Sequence, residues 1–371
     1  MSAANDLVGL HATDPMTVYL SAWARVPDFQ TNDLDRALYD DRSLLKILGM
    51  RRTMFVVPVE LASVIQAACT DSIAKGERAR LHRMIEAAGI AKDAEDWLDA
   101  VETETLEVLD AKGAATAAEL TKEVAGLRAR IPFGAGKKWV GEVGVSTRLL
   151  FLLASEGRII RGRPKGGITS SLYRWVLLDR WVPGGLPSMP KDAAQAELVR
   201  RYLASYGPAT TADVAWWTGW TIGETRTAVG QSGAVQVEIE AGAGSAGPGF
   251  VLPGEHRAAV ARTEPCVALL PALDPTVMGW QQRDWYLGEH KARLFDRNGN
   301  AGPTIWADGR IVGGWAQRSD GEIALRFLEP VKPETRRLVE AKAADLQSWL
   351  GPIRFVPRFR TPLEQELISK P

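Results

Sequence analysis

Thr116-Ala117-Ala118-Glu119-Leu120 reads as the first turn of a short helix. A threonine at the N-cap accepts a hydrogen bond from an otherwise orphaned backbone N–H, and an acid in the first turn suits the positive end of the helix dipole. The same pattern occurs as Thr31-Asn32-Asp33-Leu34, 85 residues earlier, and as Thr211-Ala212-Asp213-Val214, 95 residues later. Each copy leads into an aliphatic stretch and then into β-prone, glycine-containing sequence. One such helix is commonplace. Three in that context predict winged helices in tandem, an architecture suited to nucleic acid.

The middle copy is the clearest. Trp97, Val101, Leu106 and Leu109 fall close to helical spacing and predict a core-facing helix over Trp97–Leu109. Thr116–Val124 and Val143–Ser155 follow as the second and third helices. The wing is Gly157-Arg158-Ile159-Ile160, the loop Arg161-Gly162-Arg163-Pro164-Lys165-Gly166-Gly167, and a return strand over Ser171–Leu177.

Upstream, Asp14-Pro15 reads as N-cap and first helical residue of a helix reaching Trp23, followed by Thr31–Tyr39 and a short hairpin over Leu44–Leu48 and Met54–Val56. Only two full helices precede this hairpin. Either Asn5–Leu10 is a very short first helix, or the chain starts inside that helix. Downstream, the Pro183–Pro187 linker precedes helices over Ala193–Ser205, Thr211–Thr218 and Ile222–Val229, and a hairpin over Val235–Glu240 and Phe250–Leu252. The Ala241–Gly249 loop of that hairpin carries no charge, so it offers phosphates little. From Pro265 the sequence turns β-prone. Asp308-Gly309 between two such runs signals a hairpin, the helix Pro333–Trp349 follows, and a last strand is expected near Arg354–Val356.

The predicted class is therefore α+β, with three tandem winged-helix modules and a C-terminal β-barrel-like unit with a helix. The boundaries are 1–58 for the first module (with a short N-terminus), 59–91 for a basic helical connector, 92–182 for the second module with its basic wing, 188–254 for the third, and 262–371 for the C-terminal unit.

Bulk properties narrow the function classes. A length of 371 residues exceeds one typical core. The longest apolar run, Leu149–Ala154, is far short of a membrane span, and Met1–Asp6 lacks the basic and apolar regions of a signal peptide. Cys69 and Cys266 lie far apart in apolar surroundings, which fits a reducing cytoplasm. The scattered histidines form no metal-ligand cluster with them, so neither metal nor other cofactor is expected. The net charge is zero, yet it is unevenly spread. Leu120–Trp181 holds twelve basic and four acidic residues, whereas Asp93–Asp110 holds eight acids and no Lys or Arg. Such a chain can orient on a polyanion; two unrelated solvated helix faces are the plainer alternative.

The chain resembles the AlkZ/YcaQ family of bacterial winged-helix DNA glycosylases over nearly its whole length. The resemblance is carried by Gly9-Leu10-His11-Ala12-Thr13-Asp14-Pro15, Met50-Arg51-Arg52-Thr53, Leu269-Leu270-Pro271-Ala272-Leu273-Asp274-Pro275 and the run from Pro303 to Trp315. It implies removal of bulky N7-alkylated purines, including interstrand crosslinks. The expected partner is double-stranded DNA, and the expected state is a monomer in the cytoplasm, associated with the nucleoid. The family's catalytic element is a Gln-hydrophobic-Gln or Gln-hydrophobic-Asp triplet in the first module. At the matching positions stand His11-Ala12-Thr13.

That substitution is compatible with hydrolysis. An N7-alkylguanine is already cationic, so the leaving base needs no protonation. What remains is to hold a water and to stabilise an oxocarbenium-like sugar. His11 can accept the water's proton near neutral pH, and the Thr13 hydroxyl can hold the water. Asp14 is a candidate for supporting the sugar cation, with a helix cap as the competing role. An extended segment puts positions 11 and 13 on one face, and a helical one separates them. The segment has no lysine, which argues against a Schiff-base lyase step. Arg51 and Arg52 beside the first hairpin, Lys137 and Lys138, and the wing residues Arg161, Arg163 and Lys165 are the candidates for gripping phosphates. Asp274 suits a turn or the rim of the site, and Trp280 and Trp285 are candidates for stacking on bases. The rival reading is a non-catalytic winged-helix DNA-binding protein, a regulator or lesion sensor.

Overall fold

In the computed structural model, which describes residues 2–133, 140–240, 247–254 and 265–369, each repeat helix is registered by its acid rather than its threonine. Thr116 and Glu119 form a complete capping box at the start of the Ala117–Glu123 helix. In the third copy the box is formed by Thr210 and Asp213, so Thr211 is the first helical residue. In the first, Thr31 again lies inside its helix, Thr31–Asp35, and the Gln30 N–H donates to Asp33 at 2.9 Å. A capping box needs its acid three residues after the cap. The acid is at the fourth position of the quoted middle pattern but the third of the other two, which moves their caps back by one residue.

By internal contacts the chain divides into two units, Leu34–Leu198 and a discontinuous one made of Ser2–Asp33 with Val199–Pro371. In the discontinuous unit, Asp14 lies in extended backbone and accepts from the Met16 N–H, with Pro15 opening the Pro15–Trp23 helix. The helix Ser2–Asp6 precedes it. Helices Thr211–Thr218 and Ile222–Ser232 lead to the hairpin Val235–Ile239 with Gly247–Val251. Around them is an aromatic cluster in which Tyr202, Tyr206, Trp217, Trp280 and Tyr286 pack with centroids 5.0–6.2 Å apart. The Trp280 indole N–H donates to the Tyr206 carbonyl at 2.9 Å, so this tryptophan is committed to the cluster.

The C-terminal β unit is not a barrel. Its strands Val267–Leu270, Thr304–Ala307, Arg310–Gln317 and Ile323–Phe327 form an open antiparallel sheet in that order. Asp308-Gly309 makes the expected two-residue turn, both residues having positive φ. The outer strands stay unpaired with each other because the Pro333–Leu350 helix packs against both. Its Gln347 side chain accepts the Ile323 N–H at 3.0 Å. The strand expected near Arg354–Val356 does not form. The Gln317 amide bonds the Ile353 carbonyl and the Phe355 N–H instead of a backbone ladder. The helix Pro362–Ser369 completes the unit by packing on the Arg310–Gln317 and Ile323–Phe327 strands.

In the Leu34–Leu198 unit, helices Ala94–Lys112, Ala117–Glu123 and Val145–Ser155 precede the wing strands Ile159–Pro164 and Tyr173–Leu177. Leu98, Val101, Leu109, Leu120, Leu149 and Leu153 are buried in one core, with Trp97 and Leu106 packed at its margin. A hairpin absent from the sequence reading, Arg130–Phe133 with Gly141–Gly144, leads into the third helix. Strands Leu44–Leu48 and Met54–Pro58 pair antiparallel as expected. The expected basic connector is two helices, Val59–Ile65 and Asp71–Ala87, joined by a π turn. No helix among the described residues is long and apolar enough to cross a membrane.

Part of the charge asymmetry is internal to this unit. Glu102, 3% exposed, binds Arg78 at 2.9 Å and Arg158 at 3.0 Å, while Arg78 also makes a two-pronged pair with Glu156 at 2.7 and 2.8 Å. Arg78 keeps its two-pronged Glu156 pair when Glu102 is removed, and burial holds the Glu102 pKa above its ordinary value, which offsets part of what its ion pairs contribute. Glu102→Ala should therefore cost about 1 kcal/mol in urea unfolding, whereas the exposed Glu104→Ala should stay within about 0.5 kcal/mol of wild type.

Candidate active site and nucleic-acid interface

Thr17, Ser21 and Arg25 recur every four residues, so they line one side of the Pro15–Trp23 helix and its C-terminal extension. All three bind the loop that follows the first strand of the C-terminal sheet. Thr17 Oγ1 donates to the Ala272 carbonyl at 2.9 Å and Ser21 Oγ to Asp274 at 2.7 Å. Arg25 meets both Asp274 oxygens, at 2.6 and 2.9 Å, and also donates to Thr276 Oγ1 at 2.8 Å. Asp274 is fully buried. Burial works against the Arg25 guanidinium, but the adjoining carboxylate outweighs it and holds the pKa above its ordinary value. The backbone at Leu273 has a positive φ of 59°, a strained conformation for leucine, and its N–H is fixed by the Ala301 carbonyl at 2.9 Å.

This clamp fixes the helix whose N-terminus carries the His11-Ala12-Thr13 segment. The segment is held from its other end as well, where Tyr206 Oη donates to the Leu7 carbonyl at 2.9 Å and Arg201 to Asn5 Oδ1 at 2.8 Å. Extended backbone ends at His11, and Thr13 and Asp14 lie in the bend that starts the helix. Strand alternation therefore does not relate His11 to Thr13. His11 is buried. The Thr13 hydroxyl oxygen is also buried and has no hydrogen-bond partner among the described residues. Asp14 uses one oxygen for the Met16 N–H and the other for the Arg358 N–H at 2.9 Å, so both are engaged in structure. Nearby is a further buried acid, Glu364, whose carboxyl is pushed up to about 7 by burial and by the Asp14 charge, against the opposing bonds from Thr361 and the charge of Arg360.

The proposed phosphate contacts lie in the Leu34–Leu198 unit. Arg161 lies over the rings of Tyr173 and Trp175, 5.2 and 5.4 Å from their centroids, and Lys165 is exposed at the wing tip. Arg163 is differently placed. It reaches Asp35 at 3.2 Å and Asp40 at 2.9 Å and covers the Tyr39 ring at 4.7 Å, so much of its charge is met within the unit. Arg51 and Arg52 sit in the turn of the first hairpin, both with positive φ, and Arg52 pairs with Glu77 at 2.8 Å. Lys137 and Lys138 lie outside the described residues.

A family model for DNA glycosylase AlkZ-like proteins matches residues 4–349. The chain belongs to that family. It is 29% identical over 184 residues to an interstrand DNA cross-link repair glycosylase of Streptomyces sahachiroi, which covers 45% of this chain and 47% of that protein. The chain thus spans about half the length of this curated relative in the match. The solved structure of the Streptomyces sahachiroi DNA glycosylase AlkZ matches with a TM-score of 0.68 at 22% identity, covering 96% of this chain and 94% of that one. At that identity the likeness is one of fold. Membership places the chain among the AlkZ-like DNA glycosylases.

Sequence reasoning about this AlkZ-like chain missed Thr17, Ser21 and Arg25. Their four-residue spacing was the available signal, a polar stripe on a helix otherwise rich in apolar residues. The expected turn role of Asp274 holds, since it accepts the Thr276 N–H at 3.0 Å, but the same carboxylate also anchors that stripe. Replacing one member of a buried ion pair is costly, so Asp274→Asn should lose on the order of 3 kcal/mol by denaturant unfolding. Glu364 gives a pH signature of the opposite kind. Its folded pKa is raised from 4.5 to about 7, so the folded state pays for ionising it and wild type loses stability as pH rises across that window. Glu364→Gln should match wild type below pH 4.5 and become progressively more stable than it up to pH 7, reaching a plateau of about 3 kcal/mol, read from thermal melts across pH.

Proposed function

We infer that this chain is a monofunctional DNA glycosylase that hydrolyses the N-glycosidic bond of cationic N7-alkylated purines in double-stranded DNA. The observation that carries the reading is the hydroxyl oxygen of Thr13, buried and without a hydrogen-bond partner among the described residues, two residues from buried His11 in the segment that the resemblance matches to the family's catalytic triplet. A buried polar atom without a protein partner is the natural place to hold a water.

In this reading Thr13 Oγ1 holds the attacking water and a ring nitrogen of His11 takes its proton. The water oxygen bonds to C1′ as the C1′–N9 bond breaks, and the bond electrons pass to the base and cancel the positive charge of the alkylated ring. A neutral base leaves an abasic sugar bearing a C1′ hydroxyl. Asp14, with both oxygens occupied, fixes the geometry of the bend and adds negative potential beside the sugar cation without contacting the water. Arg161 and Lys165 grip the backbone, with Arg163 and the Arg51-Arg52 turn in supporting positions. Bulky adducts and interstrand crosslinks fall within the substrate class, because a lesion read in the groove need not be extruded into a tight pocket. The relative from Streptomyces sahachiroi, an interstrand cross-link repair glycosylase, supports that breadth.

Single-turnover release of N7-methylguanine, and of a bulkier N7 adduct, from a defined duplex tests the reading. Wild type should generate abasic sites, and the His11→Ala, Thr13→Ala double variant should be slower by about 100-fold or more with duplex affinity retained. Tight binding by wild type without base release would favour the regulator or lesion-sensor reading and overturn catalysis.

A further inference from the structure

The turn between Leu44–Leu48 and Met54–Pro58 is tightly closed. Gly49 N–H bonds the Thr53 carbonyl at 2.8 Å, and Thr53 Oγ1 donates to the Met50 carbonyl at 2.7 Å. Within it Arg51 and Arg52 both adopt left-handed backbone, with φ of 52° and 61°. For residues with a Cβ this is a strained conformation. The turn brings Arg52 against two other elements of the same unit. Arg52 Nη1 is 2.8 Å from Glu77 Oε1 on the Asp71–Ala87 helix, and its guanidinium lies 5.6 Å from the Phe151 ring on the Val145–Ser155 helix. Arg80 approaches the same Glu77 oxygen, at 3.9 Å. Arg148, one turn before Phe151 on its helix, completes the group. Its Nε is buried without a hydrogen-bond partner among the described residues. Burial lowers the Arg148 pKa, and the charges of Arg80 and Arg52 lower it further while Glu77 offsets part of this.

Arg52 and Arg80 thus share the Glu77 carboxylate, and Arg148 brings a third guanidinium within electrostatic reach of all three groups. Three like charges beside one carboxylate repel unless a further anion is supplied. The strained turn that delivers one of the three is the kind of conformation retained where it serves a function. We propose that Arg52, Arg80 and Arg148 form a phosphate-binding subsite for the DNA backbone, on elements distinct from the wing, with Glu77 as the positioning residue that holds the fork of Arg52. Planar guanidiniums suit a tetrahedral anion with several acceptor oxygens. The subsite adds to the proposed glycosylase a second grip beyond the wing, and as a DNA contact it rests on that reading.

The chain of residues 1–371 and its Arg80→Gln, Arg148→Gln variant test it in two arms. In the first, thermal melts are run in inorganic phosphate and in chloride at equal ionic strength. Phosphate should raise the wild-type Tm by about 2–4 °C and leave the variant unmoved; comparing the two proteins at one phosphate concentration cancels general salting effects. Without phosphate the variant should melt no lower than wild type, since it is relieved of repulsion. In the second arm, the salt dependence of binding to undamaged duplex should weaken in the variant by about 2 in log–log slope. Arg148→Lys, which keeps the charge, should retain that slope and provides the comparison if the double variant is unstable. An equal phosphate response in wild type and variant, or an unchanged slope, overturns the subsite. Failure of wild type to bind DNA at all would instead remove the glycosylase reading, and the phosphate melts would still decide whether the anion site exists.

Discussion

The buried pair between Arg25 and Asp274 governs the discontinuous unit. A carboxylate with no solvent exposure is tolerable only with full compensation, and Asp274 receives it from the two prongs of Arg25, the Ser21 hydroxyl and the Thr276 N–H. Because these bonds are directional as well as strong, they set the rotation of the Pro15–Trp23 helix about its own axis, not merely its proximity to the sheet. The bend carrying Thr13 and Asp14 opens that helix. The placement of the Thr13 hydroxyl is therefore referred to a loop some 250 residues further along the chain.

Much of the local structure was legible in the sequence, since caps and two-residue turns rest on interactions spanning two to four positions. Asp14-Pro15, Thr116 with Glu119, the wing strands and the Asp308-Gly309 turn all depend on neighbours in the chain. The one-residue error at Thr31 and Thr211 came from reading the threonine and ignoring the spacing to its acid. The C-terminal unit was misread for another reason. Barrel and open sheet share the same alternation along each strand, and they differ only in what meets the outer edges. Here a helix with Gln347, and the side chain of Gln317, take hydrogen bonds that further strands would have taken. No pattern within a strand reports that choice.

For the candidate site, the sequence supplies residues and not their surroundings. The segment His11-Ala12-Thr13 stood out through a family resemblance, yet the double engagement of Asp14, the clamp at Asp274 and the buried Glu364 all depend on residues brought from far away. Charge shows the same limit. Counting arginines between Leu120 and Trp181 overstated the free positive potential, because Arg158 answers Glu102, Arg180 answers Asp110 and Arg163 answers two aspartates. Meanwhile the cluster of Arg52, Arg80 and Arg148 lies mostly outside that stretch and does not register in any local window.

The discontinuity of the second unit also imposes an order of events during synthesis. The segment Leu34–Leu198 is contiguous, so its partners are all present once it has left the ribosome. The first 33 residues have no such fortune: Arg25 emerges with its counter-charge still 249 positions from being made. At typical translation speeds of roughly 5–20 residues per second, that interval is on the order of ten seconds to a minute. During it the nascent chain carries an exposed apolar helix and an unassembled His11-Thr13 bend. A chain released early, before Asp274, would thus possess all of the Leu34–Leu198 unit with its wing, yet would lack the support of its His11–Thr13 segment.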